Sequence, residues 1–313
     1  MERDQQSPAR VARPATLSEH PGITRLAFVG LGQLGIELAL LAARVFPVVG
    51  VDPSESAREK ARRRGLSVTD DLTEALSDVR AVLLCLPTIR SFDEVIEAGI
   101  EAVRSQRAVL DHVINLSTVG PERAVAAAAR LQRVGVGFAE CPVTGGVLKT
   151  RAGLSTILCG TDDPQLGVQV SPIVGVLGSH VIAFARVRDA SIAKLVNNVA
   201  AMNIASGTLE AIDFGLRSGL RLEDLFDVLE AGTATSYILS SALRRALMED
   251  DEMTGFAARL AAKDLELALE AAESSGAYLP VTSVTLRLLR EACDRGLGDL
   301  AFPAMARVTK PPG

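Results

Sequence analysis

The sequence predicts an α/β protein in which an N-terminal doubly wound sheet is followed by an all-α domain, entered through a long interdomain helix. Short apolar runs alternate with helical stretches as far as Phe184, a pattern typical of βαβ units and a mainly parallel sheet. Strand-like runs stop near Asp189, and residues 190–218 then contain no proline and keep a helical spacing. This second stretch predicts one long helix that spans the cleft between the two domains.

The individual elements follow from apolar spacing and from glycine and proline punctuation. Strands are predicted at residues 26–30, 48–51, 81–85, 109–116, 136–139, 155–158 and 180–184, and the helices between them at 33–44, 54–64, 92–103 and 121–133. After the long helix, further helices are predicted at residues 222–230, 236–248, 257–274 and 281–295. We therefore expect a disordered tail over residues 1–21, a sheet domain over 22–188 and a helical domain over 189–313.

Composition argues against several classes of protein. The chain has 313 residues, 48% of them hydrophobic, so it can bury two cores of ordinary size. A net charge of −5, no tryptophan and few aromatic residues argue against a nucleic-acid partner. The three histidines and four cysteines are scattered, so no metal site is predicted. No apolar run is long enough to span a bilayer, and residues 1–21 lack the apolar core of a signal peptide, which predicts no membrane partner and a cytoplasmic location.

A glycine-rich run, Gly30 to Gly35, follows the first predicted strand and opens the first predicted helix. In this context the first glycine permits a tight turn, the second lets the backbone approach a pyrophosphate, and the third allows close helix–strand packing. The helix N-terminus adds N–H groups and a dipole that favour the anion. The motif therefore predicts a Rossmann-type dinucleotide-binding domain, with candidate cofactor contacts at Gly30, Gly32, Gln33, Leu34 and Gly35.

An acidic residue, Asp52, ends the second predicted strand, at the place of a carboxylate that binds the ribose hydroxyls. This carboxylate would repel the additional phosphate of NADP, so we expect NAD to be preferred over NADP. Arg58, one helical turn further on, is the nearest arginine in that direction and could fold back toward such a phosphate. Leu86 and Pro87 close another strand at the carboxyl edge of the sheet, where they either contact the cofactor or only end the strand.

Three polar segments are candidates for binding a substrate in the interdomain cleft. They are Ser117-Thr118 at a strand end, Thr144-Gly145-Gly146 in a turn, and Lys194 with Asn198 on the long helix. A hydroxyl followed by two glycines can offer successive N–H groups to a carboxylate, and residues four apart share one face of a helix. Taken singly, most of these residues are better explained by a helix cap, an ordinary turn or a solvated helix face.

In chain order, the glycine run and these segments resemble the β-hydroxyacid dehydrogenase family, which includes 3-hydroxyisobutyrate dehydrogenase and tartronate semialdehyde reductase. The resemblance extends from about Arg25 to Gly298. It also includes Pro121, Cys141-Pro142-Val143 before the double glycine, Gly153, the whole run from Lys194 to Asn198, and Ala262 to Ala268 with Pro280. It implies reversible oxidation of a small 3-hydroxy acid to its semialdehyde or keto acid, by hydride transfer to NAD.

The resemblance also implies a role for each matching position. Lys194 is expected to be the catalytic acid–base residue. The expected substrate-binding residues are Ser117, Thr118, Thr144, Gly145, Gly146 and Asn198. Lys263 is expected to approach the cofactor, with Asp264 beside it in the closed cleft. The expected partners are a small hydroxy acid and a second copy of the chain, because the alanine-rich long helix favours at least a homodimer.

Two departures from the family leave the substrate open. Asn115 stands where the family often has aspartate, and Lys149 follows the double glycine where a small residue is common. Lys149 either favours substrates with a second anionic or polyhydroxylated end, as in four-carbon sugar-acid (threonate-like) dehydrogenases, or it points to solvent. An imine reductase and a non-catalytic NAD-binding protein are further alternatives, and the presence of Lys194 speaks against both.

Overall fold

The structure of the protein, a computed structural model, describes residues 25–249, 251 and 255–308. The tail predicted over residues 1–21 lies outside these described residues. Within them, a largely parallel N-terminal sheet is followed by a helical part that begins with one long helix, so the predicted fold class is confirmed.

A nine-stranded sheet forms the N-terminal part of the described chain. Its strands are β1 Leu26–Val29, β2 Val48–Val51, β3 Ser67–Thr69, β4 Ala81–Leu84, β5 His112–Asn115, β6 Gly137–Glu140, β7 Val143–Thr144, β8 Thr156–Gly160 and β9 His180–Phe184. They lie in the order β3-β2-β1-β4-β5-β6-β8-β7, with β9 paired to β8. Neighbouring strands from β3 to β6 are parallel, whereas β8 runs antiparallel to β6 and β7. Because the strand order reverses between β1 and β4, their carboxyl ends open the crevice where ligands bind in such sheets.

Helices cover both faces of this sheet, because alternate residues of each strand point to opposite sides. They are α1 Gln33–Ala42, α2 Glu55–Arg63, α3 Leu72–Ser77, α4 Ile89–Arg104, α5 Pro121–Gln132, α6 Gly146–Arg151 and α7 Pro164–Gly175. Leu26 and Phe28 of β1 belong to a core with α1, α2 and α7, whereas Ala27 and Val29 belong to a second core with α3, α4 and α5. The sheet is therefore doubly wound, as predicted.

The helical part begins with α8 Val187–Arg217, a single helix of 31 residues that is about 46 Å long. It continues with α9 Leu222–Ala231, α10 Arg244–Met248, α11 Ala258–Ser275 and α12 Pro280–Ala292, with π-helical turns at Leu239–Leu243 and Cys293–Leu297 and a 3₁₀ helix at Phe302–Arg307. Met202 and Leu209 of α8 lie in the core of this part, whereas Leu195 packs with Leu267 of α11 and Ile89 at the start of α4. One helix thus contacts both the helical core and the edge of the sheet.

No helix within the described ranges has the length and apolar character that crossing a membrane requires. The cytoplasmic location expected from the first residues of the chain stays a prediction. So does the domain limit between residues 188 and 189, which falls in the first turn of α8.

Several short elements are invisible in the sequence pattern. Strands β3 and β7 have three and two residues, and helices α3 and α6 have six each, which is too short to show an apolar period. Helix α7 is hidden for another reason, because Pro172 lies in its interior, where proline normally argues against a helix. The strand predicted at residues 109–116 is shorter in the structure, since Val109 is 65% exposed and precedes the sheet.

A buried carboxyl group joins β5 to β6 below the carboxyl edge of the sheet. Asn115 and Glu140 are both 0% exposed, and Asn115 Nδ2 donates a hydrogen bond of 2.8 Å to Glu140 Oε2. The same amide donates to Ser117 O and accepts from Ser117 N, both at 3.0 Å. Burial raises the pKa of Glu140 to about 8, against the hydrogen bond from Asn115, which lowers it. Glu140 is therefore mostly protonated at neutral pH, and it supports the chain segment that follows β5.

We expect Glu140 to make stability fall as pH rises. Its pKa in the folded state, about 8, lies above the ordinary value of 4.5, so the native state binds the extra proton between these limits. The free energy of unfolding should then fall by up to about 1.4 kcal/mol per pH unit from about pH 5 to about pH 8. Glu140→Gln keeps an acceptor for Asn115 but cannot ionise, so its stability should fall less over this range. Urea midpoints across pH measure the difference, with the exposed Glu273→Gln as control, and equal slopes for wild type and Glu140→Gln would contradict it.

Candidate active site

The glycine turn after β1 has no room for side chains at two of its positions. Gly30 has φ +98°, and a Cβ on it would lie 2.3 Å from Cys85 O. A Cβ on Gly35 would lie 2.0 Å from Gly30 O. The turn is tied to β2 by the hydrogen bond from Gly30 N to Val51 O, at 2.8 Å. These two glycines therefore let β1, β4 and the start of α1 approach one another.

The middle glycine faces open space instead. A Cβ on Gly32 would meet no atom within 4 Å, and Gly32 is the N-cap of α1 without a side-chain cap. Gln33 beside it is exposed, whereas Leu34 is half-buried and packs against the core. An uncapped helix N-terminus with a bare backbone in front of it suits a diphosphate. The turn therefore fits the pyrophosphate of a dinucleotide.

The carboxylate of Asp52, at the end of β2, is held by backbone amides. Its Oδ2 accepts a hydrogen bond of 2.7 Å from Leu31 N, inside the glycine turn, and its Oδ1 accepts one of 2.8 Å from Ser54 N. Asp52 as a whole is half-buried. The arrangement fixes a negative charge beside the glycine turn, where a ribose would lie.

The nearby guanidinium of Arg58 binds neighbouring backbone and carboxylate groups and does not point to the glycine-rich loop. It donates to Asp52 O at 2.7 Å and to Pro53 O at 3.0 Å. It also pairs with the carboxylates of Glu55 and Asp70, the second at 3.2 Å. Arg58 is buried in these contacts, so it does not fold back to offer a site for a phosphate.

The ends of β4 and β5 are joined by a serine hydroxyl. Ser117 is 4% exposed, and its Oγ donates to Leu84 O at 3.2 Å and accepts from Leu86 N at 2.8 Å. Leu86 is half-buried next to Gly30, and Pro87 is exposed. In the structure the Ser117 hydroxyl therefore holds the sheet edge together, and its predicted contact with substrate stays a prediction.

The predicted acid–base residue reaches the segment just before Thr144-Gly145-Gly146, where substrate binding is predicted. Lys194, on α8, donates from Nζ to Val143 O at 2.8 Å, and Val143 directly precedes Thr144. Its pKa is lowered by burial, which outweighs the charge of Asp264 that raises it, and the charge of Lys263 lowers it further. A lysine of this kind can exchange a proton closer to neutral pH than an exposed one.

Next to Lys194, an ion pair links α11 to α8 and to the segment after β5. Lys263 Nζ lies 3.0 Å from Asp264 Oδ1 and donates to Thr118 O at 2.5 Å. Asp264 is 2% exposed, and its Oδ2 accepts a hydrogen bond of 2.6 Å from Asn198 Nδ2. Three residues predicted from distant parts of the chain therefore lie close together. Asn198 and Lys263 contact the Asp264 carboxylate, and Lys263 also binds the backbone carbonyl of Thr118.

The double glycine joins β7 to α6, with Gly145 as the N-cap and Gly146 as the first residue of the helix. Gly145 and Gly146 have φ +125° and +75°, and a Cβ on Gly146 would meet no atom within 4 Å. Thr144 before them is half-buried. Two successive glycines in left-handed conformations expose the backbone to a small ligand, as an anion-binding turn requires.

Tyr237 lies in this region but is not predicted from the sequence. Tyr237, at the start of the helical segment before α10, lies under the ammonium of Lys149, with 3.9 Å from Nζ to the ring centroid. The chain has two tyrosines, and this one follows a segment of glycine, alanine, threonine and serine, residues 232–236. An aromatic residue in such a polar connection is the feature that could have indicated it.

Comparison with known proteins agrees with these features. Residues 25–185 match the model of the NAD binding domain of 6-phosphogluconate dehydrogenase. Residues 189–309 match the model described as NAD-binding of NADP-dependent 3-hydroxyisobutyrate dehydrogenase. Together the two matches cover almost the whole described chain.

Individual proteins are similar over nearly their full length. The chain is 25% identical over 286 residues to 2-(hydroxymethyl)glutarate dehydrogenase from Eubacterium barkeri, which covers 91% of this chain and 94% of that protein. It is 26% identical over 294 residues to an NAD-dependent L-serine dehydrogenase from Pseudomonas aeruginosa, covering 92% and 98%. Its fold matches the crystal structure of 3-hydroxyisobutyrate dehydrogenase from Salmonella typhimurium with a TM-score of 0.80, at 21% identity, over 91% of this chain and 99% of that one. The chain belongs to the β-hydroxyacid dehydrogenase family of NAD(P)-dependent oxidoreductases.

Proposed function

We propose that the protein interconverts a small 3-hydroxy acid and its semialdehyde or 3-keto acid, with Lys194 as the acid–base residue. The supporting observation is the position of Lys194 Nζ, 2.8 Å from Val143 O and beside the turn at residues 144–146. The two relatives are named for 2-(hydroxymethyl)glutarate and L-serine. Both compounds carry a hydroxymethyl group on a carbon that also bears a carboxylate, so an acid group and a reacting alcohol lie close together in each.

The proposed role of Lys194 is to move one proton. As a neutral amine it accepts the hydroxyl proton during oxidation, and as an ammonium it donates a proton to the carbonyl oxygen during reduction. NAD, when bound, supplies the hydride acceptor. The hydroxyl proton passes to Lys194 Nζ as the carbon loses its hydride, so the alcohol becomes a carbonyl and both the proton and the electron pair are accounted for. The lowered pKa of Lys194 supports this role, because it makes the neutral amine more accessible.

The proposed site for the acid group of the substrate is the turn Thr144–Gly146. The hydroxyl of Thr144 and the backbone N–H groups of the two glycines are suitable donors to a carboxylate. Asn198 is then a positioning residue, since its amide nitrogen is bound to Asp264 on α11. Imine reduction and cofactor binding without turnover are weaker alternatives, because neither requires a half-buried lysine beside a turn that can bind a carboxylate.

Lys194→Ala should lower kcat by at least about 100-fold, because a positioned acid–base group contributes that much. NADH binding should survive, since Lys194 lies outside the glycine turn. Initial rates from NADH absorbance with a panel of small hydroxy acids measure kcat, and NADH fluorescence titrations measure cofactor binding. Lys60→Ala, which changes an exposed lysine of α2, is the matched control. A folded Lys194→Ala enzyme with near-normal kcat would refute the role, and steady turnover by the wild type would eliminate binding without catalysis.

We also propose that NAD is preferred over NADP. The carboxylate of Asp52 is fixed beside the glycine turn, and Arg58 is occupied by backbone carbonyls and two carboxylates. A phosphate on the ribose would meet a like charge there and no available arginine among these neighbours. The L-serine dehydrogenase relative is named as NAD-dependent, whereas the family model of the helical part is described for an NADP-dependent enzyme. The proposal therefore rests on the local charges.

The wild-type enzyme should show a higher kcat/KM with NAD than with NADP. Changing Asp52 to Asn and Pro53 to Arg together should shift the preference toward NADP, because the repulsion is removed and an arginine can bind the phosphate with two hydrogen bonds. Steady-state kinetics with both cofactors measure the ratio, and a double substitution of the exposed Glu223 and Glu273 to Gln, which leaves the partners of Arg58 in place, is the control for charge alone. A wild-type kcat/KM that is equal or higher for NADP would refute the role of Asp52.

We further propose that the protein is at least a homodimer that uses α8. Val196 and Phe214 are 62% and 74% exposed, and their spacing of five full helical turns places them on one face. Large exposed apolar side chains on one face favour a protein interface. Light scattering after size exclusion should give a mass of two or more chains for the wild type, and Val196→Glu with Phe214→Glu should reduce it. A monomeric wild type would overturn this proposal.

A further inference from the structure

Lys149 lies on α6 next to the turn at residues 144–146, and its ammonium group has no carboxylate partner among the described residues. Its Nζ lies 3.9 Å from the ring centroid of Tyr237, and it forms no ion pair with any residue that the structure describes. The lysine is half-buried on α6, whereas Tyr237 is 49% exposed and belongs to the helical part. This contact therefore joins the sheet part to the helical part across the site.

The stem of Lys149 folds back over the double glycine. A Cβ on Gly145 would lie 3.2 Å from both Lys149 Cβ and Lys149 Cδ, so the side chain covers the turn before its ammonium reaches the ring. Two residues before Gly145, Val143 O binds Lys194 Nζ. Two residues of extended chain span at most about 7 Å. Lys149 and Lys194 thus contact the same short segment.

A half-buried ammonium over an aromatic face is still available to an anion. The contact with the ring is weaker than a charge-assisted hydrogen bond to a carboxylate, and the two can be made together, since a ring occupies one side of the ammonium. A carboxylate that enters beside the turn can therefore bind Lys149 without losing Tyr237. A neutral group there would leave the ammonium without an anionic partner.

We infer that Lys149 and Tyr237 form a second substrate subsite, which selects 3-hydroxy acids that carry a second carboxylate away from the reacting carbon. This inference rests on the proposed function, in which the first carboxylate binds the turn at residues 144–146. Lys149 supplies the charge, and Tyr237 holds the ammonium in place and closes the site from the helical part. The subsite leaves the chemistry at Lys194 unchanged and sets which acids bind.

The test compares acids with identical reacting ends. 2-(Hydroxymethyl)succinate has a second carboxylate, 2-(hydroxymethyl)-4-methylpentanoate has an apolar group of similar shape in its place, and 3-hydroxyisobutyrate has a methyl group. For the wild type, kcat/KM for the dicarboxylate should exceed that for the apolar analogue by at least about 10-fold, the effect of one charge-assisted hydrogen bond. L-Threonate is added to test a neutral polyhydroxylated end.

Lys149→Met keeps the length of the side chain and removes its charge, so the ratio between the dicarboxylate and the apolar analogue should fall by at least about 10-fold, mainly through KM. Lys149→Arg should retain most of the ratio, and Tyr237→Leu should reduce it whereas Tyr237→Phe should keep it. Lys60→Met is the matched control and should not change the ratio. These variants separate a role in specificity from a loss of folding.

Three results would overturn the inference. The first is a wild-type ratio near one with normal turnover of 3-hydroxyisobutyrate, which would leave the proposed function standing. The second is an unchanged ratio in Lys149→Met, and the third is a preference for L-threonate over the dicarboxylate. Absence of turnover with all four acids would instead contradict the proposed function, and this inference would fall with it.

Discussion

The arrangement of the site depends on one buried carboxylate, that of Asp264. A carboxylate that is 2% exposed is tolerated only when charge and hydrogen bonds compensate it. Lys263 supplies the charge at 3.0 Å, and Asn198 supplies a hydrogen bond at 2.6 Å. Because Lys263 also binds Thr118 O, the same carboxylate fixes α11 to α8 and to the chain after β5. The helical part is therefore attached to the sheet by polar contacts at the place where the chemistry is proposed.

This attachment determines where Lys194, the proposed acid–base residue, points. Asn198 lies about one helical turn after Lys194, so binding Asn198 to Asp264 sets the rotation of α8 about its axis. Lys194 then faces β7, where Val143 O accepts its hydrogen bond. The pairing of Asp264 with Lys263 has an electrostatic consequence too. A carboxylate that is already neutralised supports the charge of Lys194 less, so burial prevails and the pKa of Lys194 is lowered.

Features of the site that depend on residues close together in the sequence could be predicted, whereas contacts between distant residues could not. The glycine turn and Asp52 were predictable because a strand, a turn and a helix of fixed length bring them together. The shared face of Lys194 and Asn198 was predictable from the period of a helix. The partners of these residues were not, since Asn198 meets Asp264 66 positions away and Lys263 meets Thr118 145 positions away. Such contacts depend on how α8 and α11 pack on the sheet, and a single sequence contains no periodic pattern that predicts them. Lys263 was therefore indicated only by the family resemblance.

The charge of the site differs from that of the chain. The protein has a net charge of −5, which favours solubility and repels anions at long range. Beside the turn at residues 144–146, however, Lys149 has no carboxylate partner among the described residues, the charge of Asp264 is compensated by Lys263, and burial raises the pKa of Glu140 to about 8. A protonated Glu140 contributes a hydrogen-bond acceptor to Asn115 without adding a negative charge below the site. An acidic chain can therefore bind an anionic hydroxy acid, since local geometry and not net charge determines the potential that the substrate meets.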